Sequence, residues 1–370
     1  DMDLSPGDSG EAFNISVPAG DPVFPDGTVF PLTRSRFDPT TGDSTANPRQ
    51  QMNAITSWID GSNVYGSDQT RANWLRESDP LKLGQLKVTT HATGDLLPFN
   101  DGTMSNDGGP STSLFVGGDI RANEQAGLTS MHTLFVREHN QWAQAFASAN
   151  PNLSSDEVYD RARRVLGAEM QTITYNEFLP ALLGSQMGDY AGYDPDLEGS
   201  IKNEFSTAFY RLGHSMLSPE IKRLDNSGNT IPEGNLSLAQ AFFNPSLITD
   251  EGGIDPILKG LSSQVMQDID AKVVGDVRNM LFGAPGAGGL DLVSLNIQRG
   301  RDHGICDYNT VRAEMGLGAV SSFDQITTDT AVADALRAAY GQTAGVDNVH
   351  LIDLWVGALA EDHLPGSNVG

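Results

Sequence analysis

Apolar residues recur at a helical spacing along much of the chain, and this period predicts a mainly α fold with few short strands. The stretches that carry the helical period are residues 49–59, 68–78, 128–146, 154–182, 235–243 and 264–282. In the stretch 128–146 the large apolar side chains form one stripe, made by Leu128, Met131, Phe135, Trp142 and Phe146. Such a stripe is typical of an amphipathic helix.

Two of these helices have recognisable starts. Asp68 stands where the N-cap of the second stretch is expected. Ser154 or Ser155 is expected to cap the fourth stretch, because two acidic residues follow and favour the positive end of the helix dipole. A run of turn formers at residues 226–228 separates two short segments and predicts a hairpin.

Two regions show no sustained period. Residues 1–50 are rich in Pro, Gly, Asp and Thr and predict an extended, wrapping loop, and residues 86–117 are also loop-like. No linker rich in Pro and Ser divides the chain. We therefore predict a single domain that covers residues 1–370.

Composition and charge narrow the possible functions. The 370 residues are 38% hydrophobic, and 40 glycines bring the apolar share near that of globular proteins. Asp and Glu number 48 against 23 Lys and Arg, and the formal charge of −25 would repel nucleic acid and anionic lipid head groups. No apolar run reaches the roughly eighteen residues that a membrane helix needs. The single cysteine, Cys306, excludes an intrachain disulfide.

The segment EFSTAFYRLGHSML, residues 204–217, carries a histidine in an apolar setting. On a helical wheel the segment has apolar residues on two opposite sides, which predicts a helix buried on both faces. Arg211 lies one turn before His214, and Gly213 removes a side chain where a flat ring would need to approach. One surface of the segment therefore carries a histidine able to ligate a metal, an open position at Gly213, and in Arg211 a cation able to pair with a carboxylate. The plainer alternative is a hydrogen-bonded core histidine.

A second segment, GDIRANEQAGLTSMHTLFVREHN at residues 118–140, puts Arg121 and Glu124 beside a helix. Arg121 is placed to polarise a bound oxidant and Glu124 to touch a porphyrin rim, while His214 is placed to ligate iron from the other side. The two segments together predict the two walls of a haem pocket.

The segment SLNIQRGRDHG, residues 294–304, offers partners for that histidine. Asn296 is a neutral amide able to accept a hydrogen bond from the far imidazole nitrogen, and such a partner fixes the tautomer of a ligand. Arg299 is a second candidate for the haem carboxylates. Two plainer interpretations stay open: Asn296 satisfies only a turn, and His303 is a salt-bridged loop residue rather than a metal ligand.

The segment TSWIDGSNVYGS, residues 56–67, places oxygen donors at every second position. The donors are Thr56, Trp58, Asp60 and Ser62. Hydroxyl, carbonyl and carboxylate oxygens of this kind suit calcium. The EF-hand pattern is excluded because the acidic residues that it needs after Asp60 are missing, and a polar turn between two helices is the alternative interpretation.

Four segments, in this order, resemble the animal-type haem peroxidases of the peroxidase and cyclooxygenase superfamily, in a form like its bacterial or peroxidasin-like members. They are AITSWIDGSNVYGS, GDIRANEQAGLTSMHTLFVREHN, FYRLGHSML and SLNIQRGRDHG. The resemblance spans nearly the whole chain and implies a helical haem peroxidase domain. It also implies a secreted enzyme that reduces hydrogen peroxide through a ferryl intermediate and oxidises small organic donors or halides.

The resemblance further assigns roles to single residues of this sequence. It implies haem b with His214 as the proximal iron ligand and Asn296 as the hydrogen-bond partner of that ligand. Arg121 becomes the distal catalytic arginine, and Glu124 becomes the carboxylate able to esterify a haem methyl.

Two further sets of contacts follow from the resemblance alone. The haem propionates are expected to face Arg211 and Arg299. The calcium ligands implied by the family pattern are Thr56, Trp58 through its carbonyl, Asp60, Ser62 and Asp1.

The main departure from the family lies at the start of the chain. The family reads D-H-D-x-D-x-[ST]-P there, and DMDLSP fits the last six positions, which puts the distal histidine just before Asp1. An alternative alignment sets Met2 in the place of that histidine but deletes two residues. Gln125 rather than methionine rules out a sulfonium link to the haem, and the C-terminal portion of the family domain is expected to lie beyond Gly370.

Two other functions stay open. The oxygenase branch of the superfamily uses a tyrosine three residues before the proximal histidine, where this chain has Arg211, and Tyr210 is one position off. A non-catalytic, calcium-stabilised adhesion or interaction module would keep the fold without the chemistry. Against the second stands the presence of the whole set of haem-pocket residues, which a bare scaffold does not need.

We predict that these 370 residues, loaded with haem, form the ferryl state slowly, because the distal histidine that would move a proton between the peroxide oxygens is expected to lie outside them. General acid–base help of this kind is typically worth roughly 10² to 10⁴ in rate. Stopped-flow mixing with hydrogen peroxide measures the conversion, and rapid formation of the ferryl spectrum would contradict the prediction.

Overall fold

The structure is a computed structural model that describes residues 9–370. The predicted mainly α fold with few short strands is confirmed. The α-helices of the described chain are α1 (Ser62–Tyr65), α2 (Gln69–Leu75), α3 (Ala126–Ala149), α4 (Ser155–Ile173), α5 (Leu179–Leu183), α6 (Asn203–Thr207), α7 (Ser246–Thr249), α8 (Asp255–Ser263), α9 (Gly275–Arg278), α10 (Leu292–Asp302), α11 (Tyr308–Glu314), α12 (Thr330–Tyr340) and α13 (Leu354–Ala360). Within residues 9–370, no helix is both long and apolar enough to cross a membrane.

The remaining regular structure is short. The strands form three antiparallel pairs: β1 (Ile15–Ser16) with β2 (Val29–Phe30), β3 (Glu220–Ile221) with β4 (Leu236–Ser237), and β5 (Gln342–Thr343) with β6 (Val346–Asp347). Short 3-10 helices cover Phe209–His214, Leu238–Gln240, Phe323–Gln325 and Val349–Leu351, and a π-helical turn covers Thr174–Phe178. Asp1 and Met2, on which the calcium and distal-residue expectations rest, lie outside the described residues.

The chain divides into two compact units. The α3 unit comprises Ala54–Tyr175 and Pro219–Val265, and the α10 unit comprises Asp1–Asn53, Asn176–Ser218 and Met266–Gly370. The single domain expected over residues 1–370 stays a prediction.

Both predicted helix starts in the α3 unit are confirmed. At the start of α4, the Ser154 hydroxyl accepts from the backbone N–H of Glu157 at 3.3 Å, and the Glu157 carboxylate accepts from the backbone N–H of Ser154 at 2.8 Å. At the start of α2, the Asp68 carboxylate accepts from the backbone N–H of Arg71 at 2.9 Å. These contacts satisfy amide groups that the first turn of a helix leaves without partners.

The predicted hairpin is also confirmed. Glu220 lies opposite Ser237 in the β3–β4 pair, and an isolated bridge between Leu224 and Thr230 continues the pairing toward the turn at residues 226–228.

The most buried side chains of α3 are mainly polar, and only part of the predicted apolar stripe is packed: Trp142 and Phe146 lie partly buried against an apolar cluster that includes Ala143. Met131 on that stripe is 37% exposed. The buried side chains after the first turn are Thr129, Ser130, His132, Thr133, Val136, His139, Asn140 and Ala143. Hydrogen bonds make this burial tolerable: the Thr133 hydroxyl donates to the Thr129 carbonyl at 2.8 Å, and the Asn140 amide pairs with both backbone groups of Leu86 at 2.7 and 3.0 Å.

His139 lies on that polar face beside two tyrosine rings. The ring centroids of Tyr65 and Tyr159 each lie 5.3 Å from its own. Its Nε2 is 2.9 Å from the carbonyl oxygen of Gly84, which can only accept, so Nε2 carries the proton. Nδ1 then accepts from the Tyr65 hydroxyl at 2.8 Å. Both contacts are made only by the neutral ring.

The core of the α10 unit is apolar and lies among its C-terminal helices. Its buried members include Tyr308, Phe323, Leu336, Ile352 and Trp355. Gly357 on α13 permits a close approach, since a Cβ at this position would lie 2.4 Å from the Tyr308 ring. In the N-terminal part of the unit, Ile15 lies opposite Phe30 in the β1–β2 pair.

Four predicted helices differ from the structure. Residues 49–59 contain no helix, 235–243 contain strand β4 and one 3-10 turn, 264–282 contain α9 as their one helix, and 154–182 is interrupted by the π-helical turn after α4. In the first three the backbone pairs instead with distant segments: Gln51 with Phe37, Phe242 with Gln125, and the Gln267 N–H with the Met216 carbonyl. Pairing of this kind overrides a weak helical propensity.

We predict that the α3 unit loses stability in acid through His139. Burial lowers the pKa of His139 to about 4. An unfolded histidine titrates near 6.5, so the unfolded chain binds a proton that the native chain refuses, and stability falls as the pH drops from about 6.5 to 4, by at most roughly 3 kcal/mol. Urea denaturation at a series of pH values measures the slope.

His139→Gln should make that slope shallower over the same pH window, although the variant is less stable at pH 7. The other titrating groups are common to both proteins, and an unchanged difference in stability between them across the window would contradict the prediction.

Candidate functional site

The residues predicted to carry chemistry fall into the two units. Those in the α3 unit are Thr56, Trp58, Asp60, Ser62, Arg121 and Glu124. Those in the α10 unit are Arg211, His214, Asn296 and Arg299.

The segment that carries Arg121 and Glu124 leads directly into α3 and is held by side-chain hydrogen bonds. Asn123 pairs with both backbone groups of Phe115, accepting at 2.8 Å and donating at 2.7 Å. Thr129 on the first turn of α3 donates from its hydroxyl to the Ala122 carbonyl at 2.7 Å. The backbone around Arg121 is therefore fixed from both sides of the turn.

A glycine brings this segment against α1. A Cβ at Gly118 would lie 2.5 Å from the carbonyl carbon of Val64 and 2.6 Å from the carbonyl oxygen of Asn63, so only glycine fits there. Arg71 adds a clamp, since its Nη1 donates to the Gly117 carbonyl at 2.8 Å and its Nη2 to the Ser105 carbonyl.

Arg121 forms a two-pronged ion pair with Asp119. Its Nε lies 2.9 Å from Oδ1 and its Nη2 lies 2.7 Å from Oδ2 of the carboxylate, which also accepts from the Arg121 backbone N–H at 2.8 Å. Burial alone would raise the pKa of Asp119, but the hydrogen bonds and charge of Arg121 outweigh it and hold that pKa well below its usual range. The Asp119 hydrogen bond likewise raises the pKa of Arg121, and the charge of Glu124 adds to the effect.

The pairing with Asp119 was not predicted from the sequence. An acid two residues before an arginine is a weak signal, because the direction of both side chains depends on the turn between them. Glu124 lies at an intermediate depth and its backbone N–H donates to the Arg121 carbonyl at 2.8 Å.

The histidine segment of the α10 unit is not the single helix that its sequence predicts. Helix α6 ends at Thr207, and Phe209–His214 continues as a 3-10 helix. Tyr210 is 66% exposed, so the expected burial on both faces is wrong. The physical reason is the change of helix type at Ala208, whose φ of −123° and ψ of −69° break the 100° wheel. His214 itself is partly buried, and a Cβ at Gly213 would meet nothing within 4 Å.

His214 and Asn296 are in contact, as the sequence suggested. The Asn296 amide nitrogen lies 2.7 Å from His214 Nδ1, and the amide oxygen accepts from Arg211 Nη1 at 2.8 Å. Because a guanidinium can only donate, Arg211 orients the amide with its oxygen toward itself and its NH₂ toward the ring. The amide thus donates to the ring in this arrangement, whereas the sequence led us to expect it to accept. Asn296 lies in α10 rather than in a turn.

Arg299 is buried among acceptors of its own unit. Its Nη1 donates to the Thr33 carbonyl at 2.9 Å, the Ser35 hydroxyl at 3.0 Å and the Asp302 carboxylate at 2.9 Å. His303, the other residue of this segment with two interpretations, has both ring nitrogens within 3.0 Å of side-chain oxygens, among them Ser35 Oγ at 2.7 Å from Nε2. These contacts are those of a structural network.

The oxygen-rich segment ahead of α1 forms two small turns. The Thr56 hydroxyl accepts from the Trp58 N–H at 3.0 Å, and the Asp60 carboxylate accepts from the Ser62 N–H at 2.9 Å. Arg163 on α4 lies 3.8 Å from Asp60. Within the described part of the chain, no cluster of three or more His, Cys, Asp or Glu side chains could hold a metal ion. Calcium takes six to eight oxygens, so this segment supplies only part of such a site.

Comparisons with known proteins cover nearly the whole chain. A family profile described as animal haem peroxidase matches residues 2–370. The chain is 37% identical over 379 residues to a peroxidasin homolog of Mus musculus, covering 97% of this chain and 25% of that protein. It is 38% identical over 335 residues to peroxinectin A of Dictyostelium discoideum, covering 90% of this chain and 60% of that protein. The chain therefore spans between a quarter and three fifths of the length of these relatives.

Solved structures give a matching result for the fold. Peroxidase A from Dictyostelium discoideum aligns with a TM-score of 0.90 at 34% identity, over 100% of this chain and 72% of that chain. A fatty acid alpha-dioxygenase from Oryza sativa aligns with a TM-score of 0.77 at 22% identity, over 98% of this chain and 63% of that chain. At that identity the second likeness shows the fold alone.

We predict that Gly118→Ala destabilises the α3 unit, because a methyl group at this position overlaps the backbone of α1. Overpacking of this kind typically costs about 1–3 kcal/mol. Urea denaturation measures the free energy of unfolding. Gly188→Ala is the control, since Gly188 is exposed and its Cβ position is open. Equal stabilities of the two variants would rule out the close approach.

Proposed function

The chain belongs to the animal haem peroxidase family, and from that premise we propose that it reduces hydrogen peroxide at a haem b ligated by His214 and oxidises small organic donors or halides. The observation that carries the proposal is the contact between His214 Nδ1 and the Asn296 side chain at 2.7 Å, on a chain that matches the family over residues 2–370. A second residue that engages the far nitrogen of an imidazole is the arrangement that metal-ligating histidines use.

The residues around His214 suit a flat, carboxylate-bearing ligand. The open position next to Gly213 leaves room for a ring to approach, and Arg211 is a buried cation in the same segment. A porphyrin with propionate groups needs both features. We propose Arg211 and Arg299 as the partners of the propionates, and Arg299 also donates to the Asp302 carboxylate at 2.9 Å.

The role of Asn296 depends on the tautomer of His214. Ligation of iron through Nε2 leaves the proton on Nδ1, so Asn296 serves the ligand only by presenting its amide oxygen. In that orientation the amide oxygen no longer accepts from Arg211 Nη1, which it does here at 2.8 Å, and we propose a propionate carboxylate as the acceptor for this nitrogen. Haem binding and the orientation of the Asn296 amide are coupled in this proposal.

Arg121 is the residue that we propose to act on the peroxide. The haem iron supplies the site at which peroxide binds and is reduced. Among the described residues, Arg121 Nη1 makes no hydrogen bond, while Nε and Nη2 are held by Asp119. A fixed donor at a developing negative charge is typically worth roughly 10² to 10³ in rate. The proton transfer that the family assigns to a distal histidine falls outside the described residues.

Three finer assignments belong to the same proposal. Glu124 is proposed as the carboxylate that would form an ester with a haem methyl, since it lies in the same turn as Arg121. Replacing the methyl C–H bond by a C–O bond is a two-electron oxidation, for which hydrogen peroxide would be the oxidant. Calcium is proposed at Thr56, Trp58, Asp60 and Ser62, supported by their alternating oxygens, with Asp1 as the further carboxylate that the family pattern implies. An extracellular location is proposed from the family, and the formal charge of −25 argues against nucleic acid as a partner.

The fatty-acid dioxygenase alternative is not favoured by this sequence. Arg211 stands three residues before His214, and the neighbouring Tyr210 is 66% exposed. Oxygen uptake by the protein on adding linoleate or arachidonate would support the dioxygenase alternative. If the protein is instead a non-catalytic adhesion or interaction module, we expect that it binds no haem.

We predict that the purified protein shows a Soret band that His214→Ala abolishes or strongly weakens, because the variant removes the proposed axial ligand. Absorption spectroscopy after haem reconstitution measures the band. His91→Ala is the matched control, since His91 lies in the other unit and its Nδ1 lies 2.9 Å from the hydroxyl of the nearby Thr93 and accepts from the Thr93 N–H. A Soret band of equal position and strength in His214→Ala would contradict the proposal that His214 ligates the iron.

A further inference from the structure

The carboxylate of Asp119 is the feature of the α3 unit that the proposed function leaves unexplained. It lies 17% exposed and meets the guanidinium of Arg121 side by side, with two nitrogens on two oxygens. Pairs of this geometry fix the plane of the guanidinium as well as its distance. The same carboxylate also accepts from the Arg121 backbone N–H, which makes the arrangement one closed turn.

We propose that Asp119 is the positioning residue of the peroxide site: it holds two nitrogens of Arg121 so that the third, Nη1, is presented to the reacting oxygen. This inference rests on the proposed function, in which Arg121 is the catalytic residue. Asp119 touches no substrate in this scheme and acts only through Arg121.

Asp119 is itself rigidly mounted, as a positioning residue must be. Its backbone N–H donates to the Asn63 carbonyl at 3.1 Å, and the preceding Gly118 is wedged against α1. Arg71 holds the carbonyl of Gly117 at 2.8 Å. Contacts with α1 and α2 thus fix the backbone from which the Asp119 carboxylate projects, independently of the Arg121 side chain.

Other acidic groups also interact with Arg121, so the orientation of its guanidinium depends on which acid pairs with it. Glu124 and Asp107 also act on Arg121, so the guanidinium has three acids within its electrostatic reach. Of these, Asp119 provides the two-pronged contact. Two other basic groups, Arg71 and His132, also interact with Asp119, but the guanidinium of Arg71 donates to the carbonyls of Gly117 and Ser105, and burial lowers the pKa of His132. Removing the Asp119 charge therefore frees Arg121 to turn toward another acid.

The first test measures the side chain of Arg121 directly and needs no catalytic turnover. The purified chain is treated with phenylglyoxal, and the modification of each arginine is followed by peptide mass spectrometry. Asp119→Asn should speed modification of Arg121 by roughly tenfold, about what the loss of one charge-assisted hydrogen bond is worth. The matched control is Asp353→Asn, because Asp353 makes the same two-pronged contact with Arg301 at 2.9 and 2.8 Å. That control should leave Arg121 unchanged and speed Arg301 only.

The second test separates a positioning role from a purely structural one. The rate of the haem-loaded protein with hydrogen peroxide is compared among wild type, Asp119→Asn, Arg121→Gln and the double variant. Asp119→Asn alone should lower the rate by roughly tenfold, and in the Arg121→Gln background it should have no further effect, because residues that act as one unit are not additive. Equal losses in both backgrounds would mean that Asp119 acts on the fold and would overturn the inference.

The two tests also separate this inference from the function on which it rests. Unchanged modification of Arg121 in Asp119→Asn overturns the inference, whatever the peroxide rates. A wild-type protein without a Soret band overturns the proposed function and the catalytic role of Asp119 together, while faster modification of Arg121 would still establish that Asp119 holds it.

Discussion

A buried guanidinium carries five N–H donors and a permanent charge, so it is tolerated only where the fold supplies acceptors for it. Arg223 in the α3 unit is 1% exposed and donates to the carbonyl oxygens of Gly234 and Glu233 at 2.6 and 2.9 Å and to the carboxylate of Glu251 at 2.8 Å. Arg299 in the α10 unit likewise serves a loop carbonyl and a carboxylate. Since the strands are two residues long and many helices are short, such arginines tie together segments that no extended sheet holds.

The same requirement shapes the candidate site, but the acceptors differ in kind. Arg121 is held by a carboxylate, which orients the guanidinium and also balances its charge. Arg211 donates to a neutral acceptor, the amide oxygen of Asn296, at 2.8 Å, and this contact orients one nitrogen of its guanidinium. The carboxylate of Asp119 and the amide of Asn296 thus fix the direction of two arginines by acceptors of different charge.

Short-range patterns in the sequence predicted the local structure, but they did not predict contacts between residues that are far apart in the chain. Capping by Asp68 and Ser154 depends on groups within three residues along the chain, and both were predicted. The polar face of α3 was not predicted, because Asn140 and His139 are satisfied by residues 84–86, far away in the sequence. In the candidate site, motif spacing predicted the contact between His214 and Asn296. The orientation of the Asn296 amide depends on its contact with Arg211, which the spacing of the motifs does not predict.

Charge gives a final constraint on the proposed chemistry. Internal ion pairs remove acids and bases in equal numbers, so the excess of carboxylates over basic groups that gives the charge of −25 is left to act on approaching molecules. A neutral peroxide feels no net force from that excess, whereas a halide is repelled over roughly a Debye length, about 8 Å at physiological salt. The ion pair with Asp119 reduces the positive charge that Arg121 presents to its surroundings. The carboxylate that orients this arginine therefore also weakens the attraction of its guanidinium for anions.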